Sequence, residues 1–171
     1  PQTGPVLAWH ADPNSRCDHA LQTGGEVSPW YDSLLAKVIV HADNRLAACE
    51  KLADSLNRTV LMGFSQGCVV ALMAGLRAPQ RLAGLVGLSG YLALADRTAS
   101  EVHAANRTTP IFLAHGEEDD VVVMERGTAA RDALTALGYA VDWHSYPMGH
   151  SVCAEEVADL NAFLLRVLAP D

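Results

Sequence analysis

The feature that most constrains this chain is a regular alternation of apolar runs from residue 59 onward. "TVLMGF" has the length and continuity of a buried strand, and "QGCVVALMAGLRAP" has helical spacing until Pro79 stops it. "LAGLVGLSG" and "TPIFLAHG" are two more short buried runs, the second opened by Pro110 and closed by Gly116. Residues 124–137 repeat apolar groups at helical intervals, and Gly138 is placed to end that helix. "YAVDWHSYP" alternates as a strand does. "AEEVADLNAFLLRVL" is an amphipathic helix with acidic residues in its first turn, where the helix dipole favours them. Strands alternating with helices imply an α/β fold, a mostly parallel sheet with helices on both faces. In such sheets ligands gather at the carboxyl ends of the strands.

The first 58 residues are less regular. "GPVLAWH" and "CDHALQ" read as short strands separated by the turn-rich "ADPNSR", and "SLLAKVIVHA" reads as a longer strand. "DNRLAACEKLADSLN" is a helix with Asp43 or Asn44 as its cap. The domain reading is a β/α segment over residues 1–58 packed on a sheet-and-helix core over 59–171. Half of the 171 residues are apolar and only 19% are charged, enough material for one buried core. A net charge of −8 without any cluster of Lys or Arg argues against a nucleic-acid partner. No run reaches the roughly 20 apolar residues that cross a bilayer. The N-terminal stretch has neither the basic start nor the apolar centre of a signal peptide. Cys17, Cys49, Cys68 and Cys153 form no C-x-x-C pair, so reduced thiols and a cytoplasmic setting are expected. The seven histidines show no zinc-ligand spacing.

"GFSQG" at 63–67 stands where a strand-like run gives way to a helix-like one. A serine at that junction sits on a sharp turn with its hydroxyl at the strand's carboxyl end, and flanking glycines avoid clashes between strand and helix. The next amide, that of Gln66, lies at a helix N-terminus, where N–H groups without carbonyl partners favour negative charge. A serine hydroxyl is a weak nucleophile and needs a base, and the base needs an orienting group. "AHGEEDDVV" ends a strand and supplies Asp119 and Asp120, and "YPMGHSV" follows the last strand and supplies His150. Alone, an aspartate after a strand is usually a turn former, and a histidine is usually a surface or core residue. Together they fall in the order Ser, Asp, His on one edge of the inferred sheet, which is the order used by α/β-hydrolases.

"GFSQGC", "GLSGYL", "HGEEDDVV" and "YPMGHSV" resemble successive signatures of the phospholipase/carboxylesterase family, which includes acyl-protein thioesterases. The resemblance covers residues 59–169. It implies Ser65 as nucleophile, His150 as base, Asp119 as orienting acid, and the Gln66 amide as one donor of an oxyanion hole. Asp120 falls where that family commonly has proline, which favours Asp119, and Cys68 replaces a usual glycine. The implied activity is hydrolysis of short- to medium-chain carboxylic esters, with acyl-protein or acyl-CoA thioesters as the alternative. No metal or organic cofactor is implied.

Residues 1–62 resemble something else. "TGGEVSPWYDSLLAKVIVHADNR" is similar to the C-terminal subdomain of biotin carboxylases and related acyl-CoA carboxylase subunits. The two resemblances meet at "TVLMG", as in a chimera whose carboxylase-like segment replaces the first strands of a truncated hydrolase sheet. No ATP-grasp glycine loop is present, so no carboxylase activity, biotin site or nucleotide site is expected. The hydrolase family's "HGxG"-type loop, which completes the oxyanion hole, has no counterpart before Ser65. "SLLAKVIV" is long and apolar enough to fill the vacated sheet position. An edge left open would favour a homodimer or strand exchange. The reading from another class is an inactive chimera or binding module that keeps the three residues as a relic.

Overall fold

Apolar runs without alternation belong to strands covered on both faces, and the centre of this fold is built from two of them. The computed structural model describes residues 4–5, 15–19, 22–24, 26–27, 36–57 and 59–169. They fall into two units, Pro1–Ser55 and Leu56–Asp171.

In the first unit β1 (Gly4–Pro5) pairs antiparallel with β3 (Glu26–Val27). β2 (Arg16–His19) pairs antiparallel with β4 (Ala36–Ile39), in register Arg16 with Ile39 and His19 with Ala36. Helix α1 (Arg45–Asn57) starts at Asn44, whose Oδ1 accepts the Ala47 N–H at 3.0 Å. Asn44 rather than Asp43 is therefore the cap. The expectation that "SLLAKVIV" extends the parallel sheet is corrected here: the described part of that run, β4, belongs to a two-stranded antiparallel sheet with β2. A partner about 20 residues away closes a short loop at little entropic cost, and a local antiparallel ladder forms without a crossover.

The second unit holds one parallel sheet in the order β5-β6-β7-β8. Its elements are β5 (Val60–Phe64), α2 (Gln66–Arg77), β6 (Gly84–Leu88), α3 (Ala95–Glu101), a 3₁₀ turn (Ala104–Asn106), β7 (Ile111–Gly116), α4 (Met124–Ala136), β8 (Val141–Tyr146) and α5 (Ala154–Val167). Every residue of β6 and β7 is buried. Alternate side chains go to opposite faces. Leu85, Ile111 and Leu113 pack with Leu72 and Leu76 of α2 and with Ala130 and Leu134 of α4. Val86, Phe112 and Ala114 pack with Leu160 and Phe163 of α5. Helices thus cover both faces, as the alternating pattern implies.

The helix ends follow local chemistry. Ala78, held extended ahead of Pro79, ends α2 at φ −62° and ψ 133°. Gly138 takes φ +89° after α4, and the Tyr139 N–H then returns to Leu134 O at 3.1 Å. Asn106 is fully buried and ties two loops together. Its Oδ1 accepts the Leu82 N–H at 2.9 Å, and its Nδ2 donates to Ala78 O and Gln80 O at 2.8 Å each. These bonds set the entry into β6 and, through Thr109 at 2.9 Å, the approach to β7.

Candidate active site

Ser65 sits between β5 and α2 with φ 56° and ψ −120°, a backbone conformation that non-glycine residues rarely adopt. It is held there from both sides. Its N–H donates to Leu88 O at 2.8 Å, and its carbonyl accepts the Cys68 N–H at 3.0 Å. Gly63 makes the turn sterically possible, because a Cβ there would lie 2.0 Å from Gly67 O.

Asp119 follows β7 and is 5% exposed. Its Oδ1 accepts two backbone N–H groups, from Val122 at 2.8 Å and Val121 at 3.0 Å. Its Oδ2 accepts the Nδ1–H of His150 at 2.7 Å. Burial alone would raise this carboxyl, but the bonds from His150, Val122 and Val121 outweigh it and hold Asp119 below the ordinary carboxylate range. A carboxylate only accepts, so Nδ1 of His150 carries the proton and Nε2 is the acceptor. The Ser65 Oγ–H donates to that Nε2 at 2.9 Å. Ser65, His150 and Asp119 therefore form one continuous hydrogen-bonded chain. The Phe64 ring lies 4.8 Å from the His150 ring and walls one side of it.

The loops carrying Asp119 and His150 are joined to each other. The Glu117 N–H donates to Tyr146 O at 2.8 Å, and the Glu118 N–H donates to Met148 O at 3.0 Å. Gly116 permits this approach, since a Cβ there would lie 2.3 Å from Met148 O. Asp120, the other acid considered, is exposed, and none of the hydrogen bonds in this chain reaches it.

Gln66 is the first residue of α2, so its amide is among those without a carbonyl partner in a preceding helical turn. Cys68, in the first turn of α2, is 1% exposed and packs where side chains at Gly87 and Gly90 would collide with its sulfur at 2.6 Å. Burial pushes its thiol up to about 12, despite a backbone hydrogen bond at Tyr91. A recess of about 10 Å³, lined by none of Ser65, Asp119 and His150, lies between Cys68, Tyr91, His115, Gly127 and Trp143, room for one water and not for an acyl chain. Among the described residues no group of three or more His, Cys, Asp and Glu is arranged to hold a metal ion.

The profile of the phospholipase/carboxylesterase family matches residues 43–168, most of the chain. The chain belongs to that family. An acyl-protein thioesterase 1 of Gibberella zeae is 47% identical over 116 residues, covering 66% of this chain and 49% of the relative. One from Yarrowia lipolytica is 43% identical over 161 residues, covering 85% of this chain and 71% of the relative. The solved structure of Arabidopsis thaliana SOBER1 superposes with a TM-score of 0.65 at 28% identity, covering 72% of this chain and 60% of that one. The chain thus spans about half the length of the first of these curated relatives. Residues 1–78 also match the biotin carboxylase C-terminal domain, so the two family matches overlap from 43 to 78. The hydrolase match begins earlier than the residue 59 expected from its motifs.

Two neighbours of these side chains escaped the sequence reading, Phe64 beside the His150 ring and His115, 3.5 Å from Asp119 Oδ2. Phe64 looked like an ordinary strand residue. His115 opens "HGEEDD" as the end of a buried strand, and only its spacing of four from Asp119 marks it.

Proposed function

We propose that the chain is a serine carboxylesterase that works through an acyl-enzyme. Ser65 Oγ attacks the ester carbonyl while its proton passes to His150 Nε2. Asp119 holds the imidazole in the required tautomer and stabilises the imidazolium. The Gln66 amide steadies the developing oxyanion, and His150 then protonates the departing alkoxide. Water, deprotonated by His150, attacks the acyl-enzyme and releases the acid. The observation that carries this reading is the 2.9 Å and 2.7 Å hydrogen-bond chain through His150, already in a geometry that needs no rearrangement for proton transfer. The Gln66 amide is the oxyanion donor assigned here, and removing one such donor typically costs about a hundred- to a thousandfold in turnover.

A fluorophosphonate probe should label Ser65 in folded protein, and Ser65→Ala should lose both labelling and hydrolysis of p-nitrophenyl butyrate. Equal rates for wild type and Ser65→Ala would make the three residues a relic and end this reading. The names of the relatives favour thioesters as an alternative substrate class, and rates on matched ester and thioester pairs separate the two.

The cell setting and assembly belong to the same proposal. The four cysteines are free thiols, which suits the cytoplasm. Among the described residues no helix is long and apolar enough to cross a membrane. β5 pairs, among the described residues, only with β6, and Met62 on it is 53% exposed. A second copy of the chain adding to that edge gives a homodimer. Strictly monomeric sedimentation at micromolar concentration would overturn the dimer.

A further inference from the structure

His115 is a buried polar side chain that the mechanism above does not use. It is 1% exposed and belongs to β7, a central strand of the parallel sheet. Its Nε2 lies 2.6 Å from Val122 O and 3.5 Å from Asp119 Oδ2. A carbonyl oxygen only accepts, so Nε2 carries the proton and donates it to Val122 O. The same residue, Val122, donates its N–H to Asp119 Oδ1 at 2.8 Å. Val122 is therefore gripped at both ends, by Asp119 through its N–H and by His115 through its carbonyl.

The two amides that hold Asp119 belong to its own loop and would move with it. His115 is different, because β7 is hydrogen-bonded to strands on both sides and buried throughout. It is a side-chain tie between the Asp119 loop and the sheet, beside the backbone bonds from Glu117 to Tyr146 and from Glu118 to Met148. Helix α4 is shaped around the ring: a Cβ at Gly127 would lie 2.4 Å from His115 Nδ1. The imidazole is thus confined by α4 on one edge and engaged with the loop on the other.

We propose that His115 is a positioning residue for the Asp119–His150 pair, extending the hydrogen-bonded chain from Ser65 into the sheet. The inference rests on the catalytic reading of Ser65, His150 and Asp119. Without the Nε2 donor, Val122 O is left buried and unpaired, and the loop relaxes to satisfy it. Asp119 Oδ2 then leaves its 2.7 Å contact with His150. A displacement of about 1 Å at such a contact costs on the order of a hundredfold in rate.

The test compares wild type with His115→Phe, which keeps a ring but removes the donor, and His115→Gln, whose amide places an N–H close to the former Nε2. Turnover of p-nitrophenyl butyrate is normalised to sites titrated with a fluorophosphonate. Proton NMR follows the low-field resonance of the hydrogen between His150 and Asp119. The expected result is a loss of about a hundredfold in kcat for His115→Phe with KM within twofold, and an upfield shift or loss of that resonance. His115→Gln should recover to within about tenfold of wild type and keep the resonance. If His115→Phe does not fold, Gly127→Ala carries the test, because its methyl group displaces the ring, and with it the N–H, without removing the donor chemically. Reduced kcat with a shifted resonance in that variant supports the inference. Wild-type kcat per titrated site with an unchanged resonance in His115→Phe or, where that variant does not fold, in Gly127→Ala overturns it and leaves the catalytic reading intact. A wild type that neither labels nor turns over removes the catalytic reading itself, and this inference with it.

Discussion

Glu156 offers a stability test that does not depend on activity. It lies in the first turn of α5 and is 0% exposed. Among the described residues, neither of its carboxylate oxygens has a hydrogen-bond partner. Burial pushes its pKa from 4.5 up to about 7, so desolvation outweighs any help from the helix N-terminus. The folded state then binds a proton more tightly than the unfolded chain between those two values. Stability from this group is fully present below about 4.5 and is lost as pH rises toward and through about 7. At ~1.36 kcal/mol per unit, that rise corresponds to about 3 kcal/mol. Glu156→Gln keeps the volume and stays neutral, so it mimics the protonated acid at every pH. Urea unfolding at pH 5 and pH 8 should find the variant about 1 kcal/mol more stable at the lower pH and about 3 kcal/mol more stable at the higher. For a chain of this size the second figure means a melting temperature about 6–12 °C higher. A gap between the two proteins that is the same at both pH values would refute the reasoning, because it would mean that the carboxylate already has a partner.

Three further outcomes follow from the site. Asp119→Asn should leave binding intact but lower kcat by about 10⁴, because an amide can present its N–H to Nδ1 and favour the wrong tautomer; steady-state kinetics with active-site titration reads this, and a loss below tenfold contradicts it. Gly63→Ala places a Cβ 2.0 Å from Gly67 O, a clash between two backbones that no rotamer relieves, so thermal melting should fall and fluorophosphonate labelling should drop together; normal labelling would mean that the turn is not needed to present Ser65. Cys68, with its thiol pushed up to about 12, should resist iodoacetamide at pH 8 in folded protein while exposed Cys49 is alkylated, and peptide mass spectrometry distinguishes them.

The legible part of this chain was the part where one residue's environment is set by its own strand or helix. β6 and β7 are fully buried and read as unbroken apolar runs, and Ser65 announces itself because its turn demands Gly63. Gly138 likewise marked the end of α4 through its positive φ. What stayed hidden depends on contacts far apart in sequence. Glu156 reads as a solvated first-turn acid, yet it is wholly buried. Asn106 reads as a loop residue, yet it bonds to Ala78, Gln80 and Leu82 more than 20 positions earlier. β4 has the composition to extend a parallel sheet, but composition does not choose between that and an antiparallel partner, and β2 is the partner it has.

Ser65 and His150 are 85 positions apart and meet at 2.9 Å, and sheet register is what closes that gap. Phe64 pairs with Leu88, Leu88 with Ala114, and Ala114 with His144, so β5 through β8 share one level just below the serine. β7 and β8 then continue together for two more residues, to the pair Gly116 and Tyr146. Two residues of strand amount to about 7 Å, an overhang from which the His150 loop turns back toward Ser65 beside Phe64. A one-residue slip between β7 and β8 would displace His150 relative to Asp119 by about 3.3 Å, more than a hydrogen bond tolerates. The same slip would turn β8 over, moving Tyr146 out of the layer it shares with Phe112, Ala114 and Phe163. The apolar packing on either face of the sheet therefore prevents the slip and sets the register on which the 2.7 Å contact between Asp119 and His150 depends.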